Sequence, residues 1–285
     1  MASLFALSLL ALTACQKSTT DDQTKTSASD LTHNVIEYKV AIDANYAPFE
    51  SQTENGEIVG FSVDILSAMA QKAGFKVKYI NTAWEGIFNT LEQGDSDIVS
   101  SSVTITDERK KSMDFSDPYF EASQLIALKS NNTDITTLDD LKNHVISVQN
   151  GTTGDIAAQK IQGKTSTHIK RFESLPLALK ELAAGGVVAC IGDFGVVENF
   201  IKNNPEVSLK TISDPAFEQE FYGFAIKKGR QDIQDNLNKG LKMIKEDGTY
   251  DQIYRKYFGS KKDNTQTAST ASHQETMVSD VSAIQ

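Results

Sequence analysis

The sequence has few prolines and glycines, little positive charge and no long apolar run. Its 5 Pro and 17 Gly among 285 residues exclude a collagen-like chain. Lys and Arg number 28 against 38 Asp and Glu, and the formal charge of −10 argues against a basic nucleic-acid-binding surface. The apolar stretch at residues 4–12, interrupted by Ser8, is shorter than the ~20 residues of a membrane-spanning helix. With 39% hydrophobic residues the chain can instead build a core, and its length suggests two modest domains or one large one.

The two cysteines lie in different settings. Cys15 directly follows the apolar stretch, within Leu12-Thr13-Ala14-Cys15, which resembles the lipobox of bacterial lipoproteins, where the cysteine is lipidated. A plain secretory signal or a fortuitous apolar start is the alternative, since no Lys or Arg precedes Cys15. Cys190 lies in the apolar run 187–191, which predicts a buried strand. There its thiol is expected to pack as a small hydrophobe rather than to act as a nucleophile.

Two polar segments flank the part of the chain that can fold. Residues 16–34 contain eight Ser or Thr and no aromatic residue, and residues 260–285 contain nine Ser or Thr and again no aromatic residue. Such segments bury too little apolar surface to offset their chain entropy. We therefore expect a signal with lipobox at 1–15, a flexible linker at 16–34, a folded body at 35–259 and a disordered tail at 260–285.

The body alternates strand patterns with helix patterns. Strands are predicted at 38–42, 76–80, 97–100, 145–148, 187–191 and 221–226. Helices are predicted at 60–74, 84–91, 138–141, 154–161, 174–184 and 194–202, with two more near 233–244 and 249–257. This order implies α/β units with parallel sheets, and two units of about 100 residues fit the length.

Several motifs follow one another in an order typical of one family. They are Asp-Ala-Asn-Tyr-Ala-Pro-Phe-Glu at 43–50, Gly-Phe-Ser-Val-Asp at 60–64, Ser-Ser-Val-Thr-Ile-Thr-Asp-Glu-Arg at 101–109, Asp-Phe-Ser-Asp-Pro-Tyr at 114–119, Gly-Thr-Thr at 151–153, Gly192-Asp193, Tyr222-Gly223 and Glu-Asp-Gly-Thr-Tyr at 246–250. Together they closely resemble the polar amino-acid substrate-binding proteins of bacterial ABC importers, over essentially all of 35–259. Ser62 and Val188 stand where that family often has acidic residues.

The resemblance implies a fold and a role. The fold is α/β, periplasmic-binding-protein-like type II, with two α/β lobes joined by two strands that cross near 121–126 and 219–223. Lobe 1 is then 35–122 with 223–259, and lobe 2 is 123–222. The implied role is that of a monomeric binding protein, without catalysis or cofactor, which delivers an amino acid to an ABC transporter permease. A lipid anchor would hold it on the outer face of a Gram-positive membrane or on the periplasmic side.

Arg109 is the candidate for binding the ligand carboxylate. A guanidinium is always charged and matches a carboxylate with two parallel hydrogen bonds. The alternative is an ordinary surface arginine beside Lys110 and Lys111. Thr104 and Ser102 are two residues apart, so on an extended segment their hydroxyls share one face, and the resemblance implies that both contact the ligand backbone.

Three further residues are expected to bind the ligand backbone. Ser101 belongs to the same motif, with a loop or cap role as its alternative. Thr153 precedes a predicted helix and can offer its hydroxyl and backbone N–H to the carboxylate. Asp193 follows a predicted strand and resembles the family's ammonium-binding aspartate, while an N-cap role for the helix at 194–202 is also open.

The side-chain subsite is expected in lobe 1. The resemblance places Asp43, Tyr46 and Trp84 around the ligand side chain, although Trp84 could also be a core residue. Aromatic faces beside a carboxylate suit a guanidinium or ammonium group. Gln124 resembles the arginine-binding members too. We therefore predict arginine, with lysine or histidine weaker.

Other functions remain open at this stage. A glutamine- or cystine-binding member of the same family, a dehydratase-type enzyme on the same fold, and a ligand sensor are the alternatives. An enzyme needs an acid or base in the cleft, and the only carboxylates predicted there, Asp43 and Asp193, are already explained by a cationic ligand. No metal site is predicted, because the 4 His are far apart and have no cysteine beside them.

Overall fold

A computed structural model describes residues 35–259 of the chain. The lipobox at Cys15, the linker at 16–34 and the tail at 260–285 lie outside the described residues.

The described residues form strands and helices that alternate along the chain. The strands, in chain order, are β1 (Glu37–Ile42), β2 (Asn45–Tyr46), β3 (Glu50–Gln52), β4 (Ile58–Val59), β5 (Lys76–Asn81), β6 (Ile98–Val99), β7 (Met113–Phe115), β8 (Phe120–Ala122), β9 (Gln124–Lys129), β10 (Ile146–Gln149), β11 (Ile169–Phe172), β12 (Ala189–Asp193), β13 (Leu209–Ile212), β14 (Glu220–Tyr222) and β15 (Ala225–Lys227). The α-helices are α1 (Phe61–Ala73), α2 (Asn89–Gln93), α3 (Thr153–Gln162), α4 (Leu175–Ala184), α5 (Phe194–Asn203), α6 (Gln231–Glu246) and α7 (Thr249–Phe258). Short 3₁₀ turns occupy Arg109–Lys111 and Asp139–Asn143.

Two five-stranded sheets with matching topology form two lobes. In the first sheet the order is β5-β1-β6-β15-β7, and in the second it is β11-β10-β12-β9-β13. The first three strands of each sheet are parallel, and the last two add antiparallel pairings. Because β15 returns to the first sheet after the second is complete, the first lobe is built from two separate parts of the chain.

Two crossing strands connect the lobes. Strands β8 and β14 pair antiparallel, with Phe120 opposite Tyr222 and Ala122 opposite Glu220. This pair lies where the two crossings were expected. The single strand predicted over 221–226 is wrong, because the chain leaves the crossing after Tyr222 and joins the first sheet only at Ala225.

Helices cover the first sheet closely. Ile65, Leu66 and Met69 form the buried face of α1, which packs against α6. A Cβ on Gly240 of α6 would lie 2.7 Å from the Met69 carbonyl oxygen, so only glycine permits this helix spacing. The apolar residues at helical spacing predicted the buried face of each helix, although not that the two faces meet.

Aromatic rings gather around the crossing strands. The Phe49 ring lies 4.8 Å from Phe120 and 5.4 Å from Tyr222, measured between ring centroids. A Cβ on Gly195, at the start of α5, would lie 2.7 Å from the same Phe49 ring. The lobes are thus in close apolar contact beside the crossing.

The helix predicted over 84–91 is wrong in its first half. The structure has turns from Trp84 to Phe88 and a helix only at Asn89–Gln93. Gly86 has φ = 86°, a left-handed conformation that interrupts a right-handed helix. Trp84 is therefore presented from a turn.

Candidate functional site

The candidate ligand residues converge in the cleft between the lobes. Nine of the ten line one pocket, together with Gln149 and Thr152: Asp43, Tyr46, Trp84, Ser101, Ser102, Thr104, Arg109, Thr153 and Asp193. The tenth, Gln124, is buried beside them and donates hydrogen bonds to Thr153 and Asp193. Asp43, which follows β1, and Asp193, at the end of β12, are 150 positions apart in sequence and yet share one site.

Arg109 points into the pocket rather than to the surface. Its Nη1 donates to the Thr104 carbonyl oxygen at 2.8 Å. The guanidinium carbon lies 5.5 Å from the ring centroids of both Trp84 and Phe88. Burial lowers the pKa of Arg109, while the nearby carboxylates Glu220 and Asp193 raise it. A partly desolvated guanidinium held at one edge leaves its remaining N–H groups available for an anion.

The segment from Ser101 to Thr104 is not extended throughout. Ser102 has φ = 47°, which an L-residue adopts only at a cost, so the expected shared face of Ser102 and Thr104 is not formed by a simple strand. Both side chains still line the pocket. The Ser101 hydroxyl accepts a hydrogen bond from the Asp43 backbone N–H at 3.2 Å, so Ser101 also positions Asp43.

Asp193 ends β12 and precedes α5. It stands at the N-cap position, but its side chain makes no capping hydrogen bond. Its carboxylate instead accepts hydrogen bonds from the Tyr222 hydroxyl and the Gln124 amide. Burial raises the pKa of Asp193. The structure therefore favours the pocket over the capping role.

Asp43 and the aromatic residues Tyr46 and Trp84 also line the pocket. Asp43 is 4% exposed, accepts a hydrogen bond from the Asn45 amide at 2.9 Å, and has its pKa raised by burial. The half-buried Trp84 donates from Nε1 to the Asn150 carbonyl oxygen at 3.0 Å, which links the first lobe to the second. Trp84 thus stands at the closed cleft and not in the core of a helix.

A larger cavity adjoins this pocket. It has a volume of about 710 Å³ and shares Asp43 and Trp84 with the pocket. Its wall includes two further acidic residues, Glu85 from the first lobe and Glu173 from the second. Glu173 is close enough for its charge to raise the pKa of Asp43. The space beyond Asp43 is therefore large, and its wall carries negatively charged side chains.

Three residues at or beside the site, Glu50, Glu220 and Tyr222, were not among the candidates expected from the sequence. Glu220 and Tyr222 lie on the inner face of β14, and Glu220 accepts hydrogen bonds from Thr104 and Thr153. Glu50 is fully buried, and burial raises its pKa well above the usual value, although the nearby hydroxyls of Ser102 and Ser62 lower it. The alternation of side chains along the expected crossing at 219–223 was the available signal for Glu220 and Tyr222.

Three features bear on other functions. Cys190 is free and fully buried in β12, and burial raises the pKa of its thiol to about 12, so the nucleophilic thiolate is strongly disfavoured. Within residues 35–259, no cluster of three His, Cys, Asp or Glu side chains is arranged to hold a metal ion. In the same range, no helix has the length and apolar character needed to cross a membrane.

The chain is similar to proteins of known class. Residues 38–260 match the profile of the bacterial extracellular solute-binding proteins, family 3. A probable histidine-binding protein of Neisseria gonorrhoeae is 41% identical over 259 residues, covering 90% of this chain and 94% of the relative.

Solved structures share the fold. The arginine-, lysine-, histidine-binding protein of Geobacillus stearothermophilus is 42% identical, with a TM-score of 0.75 over 79% of this chain and 96% of that one. An ancestral amino-acid-binding protein, described as a precursor of cyclohexadienyl dehydratase, is 37% identical, with a TM-score of 0.70 over 78% and 95% of the two chains. This likeness confirms the expected fold of two α/β lobes joined by two crossing strands.

Proposed function

Because the chain belongs to family 3 of the bacterial extracellular solute-binding proteins, we propose that it captures a basic L-amino acid, with arginine preferred, and delivers it to an ABC importer. One observation carries the choice of ligand. Asp43, Asp193 and Arg109 line the pocket, and Glu220 lies beside it, hydrogen-bonded to Gln124. Three carboxylates thus surround one cation, Arg109. A site with this excess of negative charge is better balanced by an amino acid with net charge +1 than by a neutral one.

The ligand backbone is bound by groups from both lobes. In the proposal, the α-carboxylate lies against Arg109, and the backbone N–H groups at the start of α3 face it from the second lobe. The α-ammonium lies against Asp193, whose carboxylate ends β12. Closure removes both charges from water, which strengthens each pairing in a medium of lower dielectric constant.

The ligand side chain then runs toward Asp43 between Tyr46 and Trp84. A guanidinium there is attracted by the carboxylate and by the aromatic faces, each cation–π contact contributing about 0.5–2 kcal/mol. The cavity beyond Asp43, with Glu85 and Glu173 on its wall, has room for a long cationic side chain. Histidine is the second candidate, because the Neisseria relative bears that name and an imidazole also fits between two rings.

Titration of the full-length, ligand-stripped protein with each common amino acid tests the proposal. We expect heat of binding with arginine at the lowest concentration, weaker binding of lysine and histidine, and none of glutamine or cystine. Citrulline is the matched control, since it has the shape of arginine without its side-chain charge. Tighter binding of citrulline or glutamine than of arginine would contradict the proposal, and tighter binding of histidine would reassign the ligand.

The remaining parts of the proposal concern anchoring and partners. We place lobe 1 at 35–122 with 223–259 and lobe 2 at 123–222, a monomer tethered through lipid on Cys15. The relatives named above are binding proteins, and binding without catalysis is proposed for this chain too. Radiolabelled palmitate incorporated into the wild type but not into Cys15→Ser tests the anchor. Labelling of both proteins, or of neither, would contradict it.

A further inference from the structure

Glu220 is the point where hydroxyl and amide donors of the site meet. Its Oε2 accepts hydrogen bonds from the Thr104 hydroxyl at 2.7 Å and from the Thr153 hydroxyl at 3.0 Å. Its Oε1 accepts from the Gln124 amide at 3.2 Å. Burial raises the pKa of Glu220, and the charge of Asp193 raises it further. Glu220 is thus held in the cleft by two threonine hydroxyls, with the Gln124 amide, which it shares with Thr153 and Asp193, beside them.

The strand geometry explains why Glu220 faces the cleft. Alternate residues of β14 point to opposite sides, so Glu220 and Tyr222 share the inner face while Phe221 points outward and is 39% exposed. The backbone bridge between Thr104 and Tyr222, and the hydrogen bond from Ile105 N–H to the Phe221 carbonyl oxygen at 2.8 Å, fix β14 against the first lobe. Glu220 therefore extends from a fixed strand toward the second lobe.

The donors to Glu220 belong to different lobes. Thr104 follows β6 in the first sheet, whereas Thr153 begins α3 and Gln124 begins β9, both in the second lobe. One carboxylate can accept from all three only when the two lobes approach as they do here. Opening of the cleft carries Thr153 away from Thr104 and breaks at least one of these bonds.

Glu220 leaves the carboxylate-binding cation free. Arg109 feels the charge of Glu220, but its guanidinium donates to the Thr104 carbonyl oxygen instead. Arg109 and Ser102 both line the pocket. A bound carboxylate therefore finds donors without displacing Glu220.

We propose that Glu220 is a positioning residue that acts as a latch, because its hydrogen bonds hold the two lobes in the closed form. This inference rests on the proposed function, since closure is what captures the ligand. The latch stabilises the closed form by hydrogen bonds that do not involve the ligand side chain. Apparent affinity scales with the fraction of protein that is able to adopt the competent form. Glu220 thus sets the affinity for all ligands together and not the choice among them.

The test compares two full-length variants with the wild type. Glu220→Gln removes the charge and turns an N–H₂ group toward the donors. Glu121→Gln is the matched control on the other crossing strand, where the side chain is exposed and accepts a hydrogen bond from Gln219. Trp84 is the only tryptophan of the chain, and it bridges to Asn150 across the cleft, so its fluorescence reports closure without any ligand.

We expect the ligand-free Glu220→Gln protein to show a red-shifted Trp84 emission and a larger radius of gyration by small-angle scattering. Its affinity for arginine, lysine and histidine should each fall by about tenfold, with the ratios among the three unchanged. Glu121→Gln should match the wild type in every measurement. Glu220→Asp, which keeps the charge but is too short for both hydroxyls, provides the same test if Glu220→Gln does not fold.

Two results would overturn the latch. Tighter binding by Glu220→Gln would show that Glu220 competes with the ligand carboxylate, and unchanged emission and affinity would show that its bonds do not govern closure. Failure of the proposed function looks different: no basic amino acid binds to any of the three proteins, while the ligand-free emission still distinguishes Glu220→Gln from the other two.

Discussion

The two lobes present different chemistry to the same cleft. The first lobe contributes the cation Arg109, the carboxylate Asp43 and the rings of Tyr46 and Trp84. The second contributes Gln124 and Asp193, which are already hydrogen-bonded to each other, and Thr153 at a helix start. The proposed function assigns different roles to the two lobes: the first would distinguish ligand side chains, and the second would bind the groups that every amino acid carries. Substitutions should therefore change selectivity in the first lobe and overall affinity in the second, with Arg109 as the exception that serves both.

Arg109→Ala should have the largest effect. Removing one partner of a buried charge pair costs about 2–5 kcal/mol, so affinity should fall by roughly a thousandfold, beyond detection by calorimetry. The thermal midpoint of the ligand-free protein should hardly move, because burial already disfavours the charge. Arg109→Lys keeps a charge without the paired donors and should bind at an intermediate level. A midpoint lowered by many degrees would mark Arg109 as a structural residue.

Asp193→Asn should weaken all ligands together. The ammonium loses its counter-charge, while the Tyr222 hydroxyl keeps an acceptor, so affinity should fall by about a hundredfold for arginine, lysine and histidine alike. Asp139→Asn, an exposed change in the second lobe, is the control. Calorimetric titration of the three ligands gives the ratios. A loss confined to one ligand would break the proposed division between the lobes.

Asp43→Asn should weaken only cationic side chains. Arginine should lose about tenfold in affinity, in line with the 1.4 kcal/mol that corresponds to a factor of ten, while citrulline should be unaffected. The ratio of the two dissociation constants is the measurement. An equal loss for arginine and citrulline would assign Asp43 to the ligand backbone or to the fold.

Acidification should change the stability of the ligand-free protein and its affinity for arginine in opposite directions. Burial raises the pKa values of Asp43, Asp193 and Glu220, so the folded protein takes up protons before the unfolded chain does. These groups therefore add to the free energy of unfolding of the ligand-free protein as pH falls through the raised pKa values, and that contribution is lost as pH rises.

Binding should change in the opposite direction. Protonated carboxyls attract a cation less, so affinity for arginine should fall by about threefold between pH 7 and pH 5. Titrations at both pH values, with Asp43→Asn as the variant whose dependence is smaller, provide the measurement. Affinity that rises on acidification would exclude ionised carboxylates as the ligand's partners.

Much of the fold followed from local patterns. The apolar face of α1 and the alternating strand β5 were predictable from periods of 3.6 and two residues, and β12 from its continuous apolar run. The crossing near 219–223 was expected from the family resemblance alone. The type II arrangement of lobes required the resemblance, because no local pattern specifies which strands share a sheet. The helix expected at 84–91 is interrupted at Gly86, which has a positive φ. The spacing of apolar residues alone does not reveal this conformation.

The site was predictable where motifs named it and not where it depends on closure. Asp43, Arg109 and Asp193 stand in motifs and meet in one pocket. Glu220 carries no motif of its own, and its role depends on Thr104 and Thr153 being brought together from two lobes. Ser102 lines the pocket, but its backbone conformation could not be derived from a serine in a run read as extended.

The burial of Cys190 has a practical consequence for optical sensing. Its sulfur is fully buried and its raised pKa keeps it unreactive, and it is the only cysteine among residues 35–259. A cysteine introduced at an exposed rim position such as Glu85 or Lys180 would therefore be the one thiol of the folded body that a dye can reach. A fluorophore attached there would report amino-acid capture as a change in colour or brightness, with no correction for labelling of the interior.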